Sequence, residues 1–424
     1  MSDGFTLAKQ SEVFKIHYTK KSENLYNSST VLEGRIAKKY NFTGSKKTVL
    51  NPLSYSGGVG SGRLPKANAA NYKQAEIESE RVYATCEIER ESIYASADDK
   101  GAFLRATAET VKKTVESYNR NVARIQFGDG SGVLGTGDAT GADVVGLGTV
   151  ASPYILQFPV SGWKEANWEE QDYVQMVVAT APEGGDTEVN LLLVQYVDVD
   201  NRKVHLVGTS ARLAALVAGT SPLAATDEVC MQRSYNKDPM GLMGITNFSE
   251  AATGSLYAIP FQRRWSMTVQ DKAGRGINPD MMNGIMLEIE RKTGKVPNMI
   301  MTSYKQFQNI LALLEEQKTY CLGNRNLKKG QNLKGQWGFD GVEFMSTRGP
   351  IGIFTDRFCE DDRVYFLNDN FIERHHRPGH GWFTDDKTVF LRLNDDDAYG
   401  ARYGGYFQNY VPPTFHGCIK GLAV

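Results

Sequence analysis

The sequence predicts a mixed α+β chain, and three observations carry that expectation. Apolar positions recur every three or four residues between Phe103 and Ile125, the spacing of one helix face. Val82, Ala84, Cys86 and Ile88 alternate with Tyr83, Thr85 and Glu87, the period of a half-buried strand. Short apolar runs then interleave with two further helical patterns, and no repeat of roughly 20–50 residues suggests a solenoid. A chain of 424 residues has room for two or three folding units. With 41% hydrophobic and 23% charged residues, wholesale disorder is excluded.

Residues 1–50 carry nine basic side chains against four acids, an excess of five, while the remainder carries 39 basic against 45 acidic. The segment is rich in Ser, Thr and Asn without an apolar period, so it reads as an extended arm, either lying on a partner subunit or near polyanion, or simply a solvated terminus. Residues 51–65 are rich in Gly and Ser, a loop composition. With the strand that follows, they read as a projecting hairpin.

The long helix comes next. Ser96 as N-cap with Asp99 three residues on fits a capping box. Phe103, Thr107, Val111, Val115, Tyr118, Val122 and Ile125 form its apolar stripe. Glu109 with Lys113, and Glu116 with Arg120, are spaced as i,i+4 pairs. Gly128-Asp129-Gly130 ends it after about 29 residues, a rod of roughly 43 Å. Beyond a Gly-rich stretch at 135–148, strands are expected over 173–179, 189–198 and 204–207, the last following a turn at Asp200-Asn201. Helices are expected over 279–292 and 304–317, with a buried strand over 296–301 between them. Strands close the chain at 351–355, 364–367 and 389–393.

Chemistry-bearing motifs are sparse. Gly130 to Gly135 spells GxGxxG, but a helix precedes it and glycine follows, the reverse of a dinucleotide-binding context. A P-loop and a G-x-S-x-G elbow are absent from the sequence. His375, His376 and His380, with Glu373 and Asp385 nearby, lack metal-ligand spacing and read as a solvated or subunit-contacting loop. Asp198-Val199-Asp200 opens like a calcium loop but lacks its Gly and Glu. Asn394-Asp395-Asp396-Asp397 reads as an acidic turn, and Tyr399, Tyr403, Tyr406 and Tyr410 as packing or interface residues. Five cysteines, Cys86, Cys230, Cys321, Cys359 and Cys418, form no CxxC pair, which supports neither disulfides nor zinc and fits a reducing compartment. Apolar runs at 191–194 and 213–218 are too short to span a bilayer, and a net charge of −1 opposes a protein-wide nucleic-acid footprint. No catalytic residue, cofactor, metal or membrane partner is expected, and the N-terminus shows no secretory signal.

Several stretches nonetheless resemble one family in collinear order. Gly101-Ala102-Phe103, Asn121-Val122-Ala123-Arg124 and the run from Phe127 to Leu134 look like the spine helix and its exit in tailed-bacteriophage major capsid proteins. Met240-Gly241-Leu242-Met243-Gly244-Ile245 resembles that family's "GL-x-GI" turn, and Val296 to Ser303 its buried strand entering a helix. Residues 351–367 followed by 381–394 resemble its "ADR…YFLD" strand pair and final sheet. The match covers most of 70–424. It implies the Hong Kong 97-type capsid fold: an N-terminal arm (1–50), an extended loop or E-loop (51–98), a P-domain spine helix (99–134), an A-domain (135–375) with an enlarged β element near 163–210, and a P-domain C-terminal sheet (376–424).

The resemblance also implies a role: pentamers and hexamers closing into an icosahedral shell around double-stranded DNA in the virion, assembled in the host bacterial cytoplasm. Residues 1–50 are too short to be a fused scaffolding segment, so a separate scaffolding protein is expected, with a portal protein; decoration proteins are left open. Lys66 matches no crosslinking motif with a partner Asn. Within this reading Arg63, Lys66 and Arg81 reach acids on the neighbouring subunit, and Val82, Ala84, Cys86 and Ile88 lay an apolar face on it. Lys38, Lys39, Lys46 and Lys47 face the shell's interior and its DNA. The competing readings are an encapsulin-like nanocompartment shell and a cytosolic hydrolase.

Overall fold

The computed structural model describes residues 31–40, 42, 46–51, 71–89, 100–160, 162–178, 181–183, 190–251, 253–316, 342–346, 349–384, 388–393 and 397–423. The expected cap at Ser96, the Gly-rich loop with Arg63 and Lys66, Cys321, and the acidic turn at 394–396 lie outside the described residues. The chain divides into two compact units, Met1–Asn247 with Glu373–Tyr410, and Phe248–Ile372 with Val411–Val424.

In the first unit, a five-residue helix α1 (Val31–Arg35) leads into strand β1 (Ala37–Lys39). Strands β2 (Lys46–Asn51) and β3 (Asn71–Glu76) pair antiparallel over six residues, and β4 (Glu80–Glu89) follows. The long helix α2 runs over Lys100–Phe127, 28 residues and about 42 Å at 1.5 Å per residue. Its stripe at Val111, Val115, Tyr118, Val122 and Ile125 is 1–2% exposed, as the 3.6-residue period requires of a face turned to a core. The expected Glu116 pairing with Arg120 is replaced. Arg120 instead binds Asp172 at 2.7 Å and also Glu169, while Glu116 takes Lys112 at 3.6 Å. Two carboxylates in a more sheltered place hold the guanidinium better than one on an exposed helix surface.

Against that helix lies a sheet organised by β22 (Ala398–Tyr410), which pairs antiparallel with β4 over ten residues, from Ala398 with Glu89 to Phe407 with Glu80. Its other edge takes β21 (Leu391–Arg392), β20 (Gly381–Trp382) and β19 (Glu373–His376) in turn, and β19 pairs in parallel with β1. Gly404 in β22 is there by necessity, since a Cβ would lie 2.2 Å from the Val82 carbonyl oxygen. Val82, Cys86, Ala401, Tyr403 and Phe407 join the helix stripe in one core.

This corrects the expectation for Val82, Ala84 and Cys86. Val82 and Cys86 are buried, and Ala84 packs beside them, in the chain's own core; Ile88 is half-buried. The period-two signal was genuine, but the surface it buries against is the long helix of the same chain.

A second sheet of the first unit comprises seven described strands: β5 (Val133–Thr136), β6 (Tyr154–Gln157), β7 (Tyr173–Val178), β8 (Ala181–Pro182), β9 (Leu192–Asp198), β10 (Lys203–Gly208) and β11 (Asp227–Met231). Their order is β5-β11-β7-β9-β10-β6, with β8 on β7. Alternate residues Leu192 and Val194, Val204 and Leu206, and Tyr154 and Leu156 point to its core. There they meet Leu213 and Leu216 of helix α3 (Ala211–Gly219), whose N-cap Ser210 accepts from the Leu213 amide at 3.1 Å. Asp227 and Arg212 lock helix to sheet through two hydrogen bonds of 2.8 Å. At the entry, Gly132 has φ of +74° and its missing Cβ would sit 2.4 Å from the Ser234 carbonyl oxygen. The glycine run from 130 is thus a tight exit from the helix. Residues 242–245, expected as a turn, open helix α4 (Leu242–Ala251).

The second unit holds β12 (Ser255–Leu256) paired with β13 (Ile259–Pro260), and a sheet of six described strands. These are β14 (Thr268–Arg275), β15 (Met299–Thr302), β16 (Val342–Ser346), β17 (Gly349–Thr355), β18 (Val364–Leu367) and β23 (Gly417–Leu422), in the order β14-β23-β18-β15-β17-β16. Every residue of β15 and β18 is buried. Helix α5 (Pro279–Thr293) starts at Asn278, whose side chain accepts from the Met281 amide, and stops at Gly294 with φ of +72°. Its Met282, Ile285, Met286 and Ile289 pack with Ile300, Phe366 and Ile419, and Ile310 of helix α6 (Tyr304–Glu316) joins the same core.

The expected boundaries therefore shift. The span 135–375 contains two sheets with separate cores, the β element fills 133–231 rather than 163–210, and the C-terminal segment is cut after Tyr410. Composition cannot show this, because both cores draw on the same apolar residue types. Among the described residues, no helix is long and apolar enough to cross a membrane.

Candidate functional site

Among the described residues of the first unit, 31–40, 42, 46 and 47 and their seat carry a connected polar network. Leu32 and Ile36 provide apolar contact, at 2% and 8% exposure. Between them in sequence, Glu33 is driven fully under cover, and a carboxylate there must be paired to be tolerated. Arg374 Nη1 donates to its Oε1 at 2.7 Å, Lys38 Nζ reaches the same oxygen at 3.0 Å, and Gln126 of α2 donates to Oε2. Arg374, itself 0% exposed, also donates from Nε to Asn409 Oδ1 at 2.9 Å and lies over the Phe407 ring. Asn409 passes the chain on to the Met240 carbonyl at 3.1 Å. One buried carboxylate thus ties arm, long helix and sheet together.

On the opposite face of β19, Glu373 receives Lys39 at 2.7 Å and Lys47 at 2.6 Å. Burial pushes its carboxyl upward, but the hydrogen bonds from Lys39 and Lys47 outweigh this and hold it below the usual carboxylate range. Lys47 also sits 4.3 Å above the Tyr410 ring, and Lys46 pairs with Glu76 at 2.8 Å. All four lysines expected to face DNA are therefore in ion pairs with acids of their own chain. For these four lysines the charge is neutralised within the chain.

The histidines correct a second expectation. Instead of a solvated loop, His375 and His376 lie in β19 at 3% exposure, under a cover of aromatic rings. Tyr40 stacks on His376 with centroids 4.9 Å apart, and Phe42 lies 4.4 Å from His375. The Phe42 amide donates to the His376 carbonyl at 2.8 Å. Burial, then the neighbouring His380, Arg374 and Lys38, push His376 down to about 2. Burial, then Arg374 and Lys38, bring His380 down to about 4. His375 is lowered too, by burial first. All three are neutral near pH 7, and no group of three metal-ligating side chains occurs among the described residues.

Of the residues expected to meet a neighbour through the E-loop, Arg81 is exposed beside Tyr406, 5.9 Å from its ring. Reasoning from sequence missed Glu33, Arg374, Gln126 and Asn409. One signal was available, because Glu33 is the sole acid between residues 31 and 50 amid five basic residues. The cluster brings together anchoring groups, with no nucleophile–base pair among them.

No family model matches the chain, and neither does any curated protein. Solved structures do. A chain of the Cyanophage A-1(L) capsid asymmetric unit is 12% identical, with 92% of this chain and 91% of that one covered at a TM-score of 0.52. Mycobacterium phage Patience gives 10% identity, coverage of 100% and 91%, and a TM-score of 0.41. The satellite phage P4 procapsid, which includes the size determination (Sid) protein, gives 8% identity, coverage of 95% and 90%, and 0.39. The fold assignment rests on the cyanophage chain alone: this chain shares its fold almost end to end.

Proposed function

From a chain with the Hong Kong 97-type capsid fold, we propose the major capsid protein of a tailed bacteriophage, closing as pentamers and hexamers into an icosahedral shell around double-stranded DNA. The observation that carries this is the end-to-end likeness to a cyanophage capsid chain, which leaves little of either chain over for another activity. In this reading the role is structural, and the chain's place is the virion, after assembly in the host cytoplasm. A separate scaffolding protein and a portal complete the assembly set. Arg81 and the loop carrying Arg63 and Lys66 reach the neighbouring subunit. The arm lysines anchor the arm to its own subunit, and contact with DNA is not assigned to them.

The test is to express the full chain with and without a candidate scaffolding protein and sediment the lysate. Nuclease-resistant particles tens of nanometres across support the proposal. Deleting 56–66 should leave a folded subunit and abolish closed particles, since no side chain of the cores described above is removed. Intact particles from that deletion would remove the loop from the assembly contact.

A further inference from the structure

The arm's seat contains two imidazoles placed where a proton would be disruptive. His376 is 3% exposed, and neither of its ring nitrogens has a hydrogen-bond partner among the described residues; the same holds for His380 Nδ1. Their ring centroids are 4.6 Å apart. Tyr40 of the arm closes over both, at 4.9 Å from His376 and 6.2 Å from His380.

The charged groups facing them offer no relief. Arg374 on β19 and Lys38 on β1 are positive, and both act on each imidazole. Tyr118 from α2 and Tyr403 from β22 lie 6.0 and 6.1 Å from His380, and burial pushes the Tyr118 phenol well above its ordinary range, so it supplies no negative charge. Glu33 is the carboxylate that acts on His380, and it already serves Arg374, Lys38 and Gln126. His375 borders His376 on the far face of the strand, bonded to Glu373 at 3.1 Å.

We propose that this imidazole pair makes the seat an acid-released latch: when His376 and His380 take up protons, residues 31–42 leave the sheet. Two further positive charges beside Arg374 and Lys38, in a place sheltered from water, are relieved most cheaply by lifting off Tyr40 and letting solvent in. The sign follows from linkage. Both histidines are depressed in the docked state relative to about 6.5 when free, so docking is at full strength above pH 6.5 and weakens as pH falls toward 4. With docked values of about 4 and about 2, the released state gains at pH 5 at most about thirtyfold per histidine, the ceiling reached if both return to about 6.5; Arg374 and the second imidazole, which stay on the sheet, hold the gain below it. The inference concerns the single chain and stands whether or not shells form.

The experiment is hydrogen exchange of the full chain from pH 8 to pH 4.5, with protection factors corrected for intrinsic exchange. Protection of 31–42 should collapse below pH 6 with a slope approaching two protons, while β9 and β10 keep theirs. In the His376→Phe/His380→Phe variant, which keeps ring packing without titration, it should stay flat. Flat protection in the wild type, a slope of one, or equal loss in the double variant would each overturn the proposal. Should the double variant fail to dock its arm, the wild-type slope decides alone. Zinc raising protection at pH 7 would overturn it as well, by making the pair a metal site.

Discussion

Replacing Glu33 by Ala removes the carboxylate on which the arm's attachment converges. Arg374, at 0% exposure, keeps Asn409 and the Phe407 ring but loses the Glu33 carboxylate at 2.7 Å. Removing one partner of a buried ion pair costs about 3–5 kcal/mol. The molecule has a cheaper response than carrying that cost. Undocking residues 31–39 gives up the burial of Leu32 and Ile36, the β1–β19 pairing and the Lys39–Glu373 ion pair, and is offset by the backbone entropy the freed residues recover. The arm should therefore leave while the rest of the unit stays folded. Limited trypsinolysis reads this directly, because Arg35, Lys38 and Lys39 lie in the segment. Cleavage there should accelerate about a hundredfold or more, as a shift of about 3 kcal/mol implies. The double variant Glu33→Leu/Arg374→Met should restore much of the protection, since an apolar pair needs no counter-charge. Less than a tenfold change in the single variant, or a double variant as open as the single one, would refute the reasoning.

Three further outcomes follow from the packing. Val82→Ala should cost the isolated subunit about 1–3 kcal/mol in chemical denaturation, because Val82 meets the chain's own helix; a loss confined to assembly would restore the intersubunit reading. Gly132→Ala should destabilise the helix exit by about 1–3 kcal/mol through its positive φ and the approach of the Ser234 carbonyl, and an unchanged midpoint would contradict that. His416, fully buried, accepts from the Asn368 amide at 3.2 Å, and burial pushes it down to about 3. Its contribution is present above about pH 6.5 and lost as pH falls toward 3, about 3 kcal/mol by pH 4.5. Hydrogen exchange in β18 and β23 should show that loss, and His416→Asn should flatten it.

Most of the regular framework was legible because its signals are local. The stripe from Val111 to Ile125 and the helix over 279–292 follow from spacing, and the strand at Val364–Leu367 from an unbroken apolar run. What stayed hidden depends on partners distant in sequence. β22, the longest described strand, reads as glycines and tyrosines, and only its ten-residue pairing with β4 explains why. Arg374 and Glu33 are 341 positions apart, so nothing in either neighbourhood announces the ion pair. His375 and His376 looked polar and hence exposed, whereas arm residues Tyr40 and Phe42 cover them. The arm's positive charge misled for the same reason, because Glu373 and Glu76 lie outside the segment over which it was counted.

Whether this chain builds a closed shell is read from electron cryomicroscopy of the full-length protein purified after co-expression with a candidate scaffolding protein. Icosahedral particles are expected whose five-fold and six-fold positions are both filled by this subunit, with α1 and β1 seated on β19 of the same chain. Monodisperse monomers or small open oligomers at high concentration, with scaffold present, would contradict it.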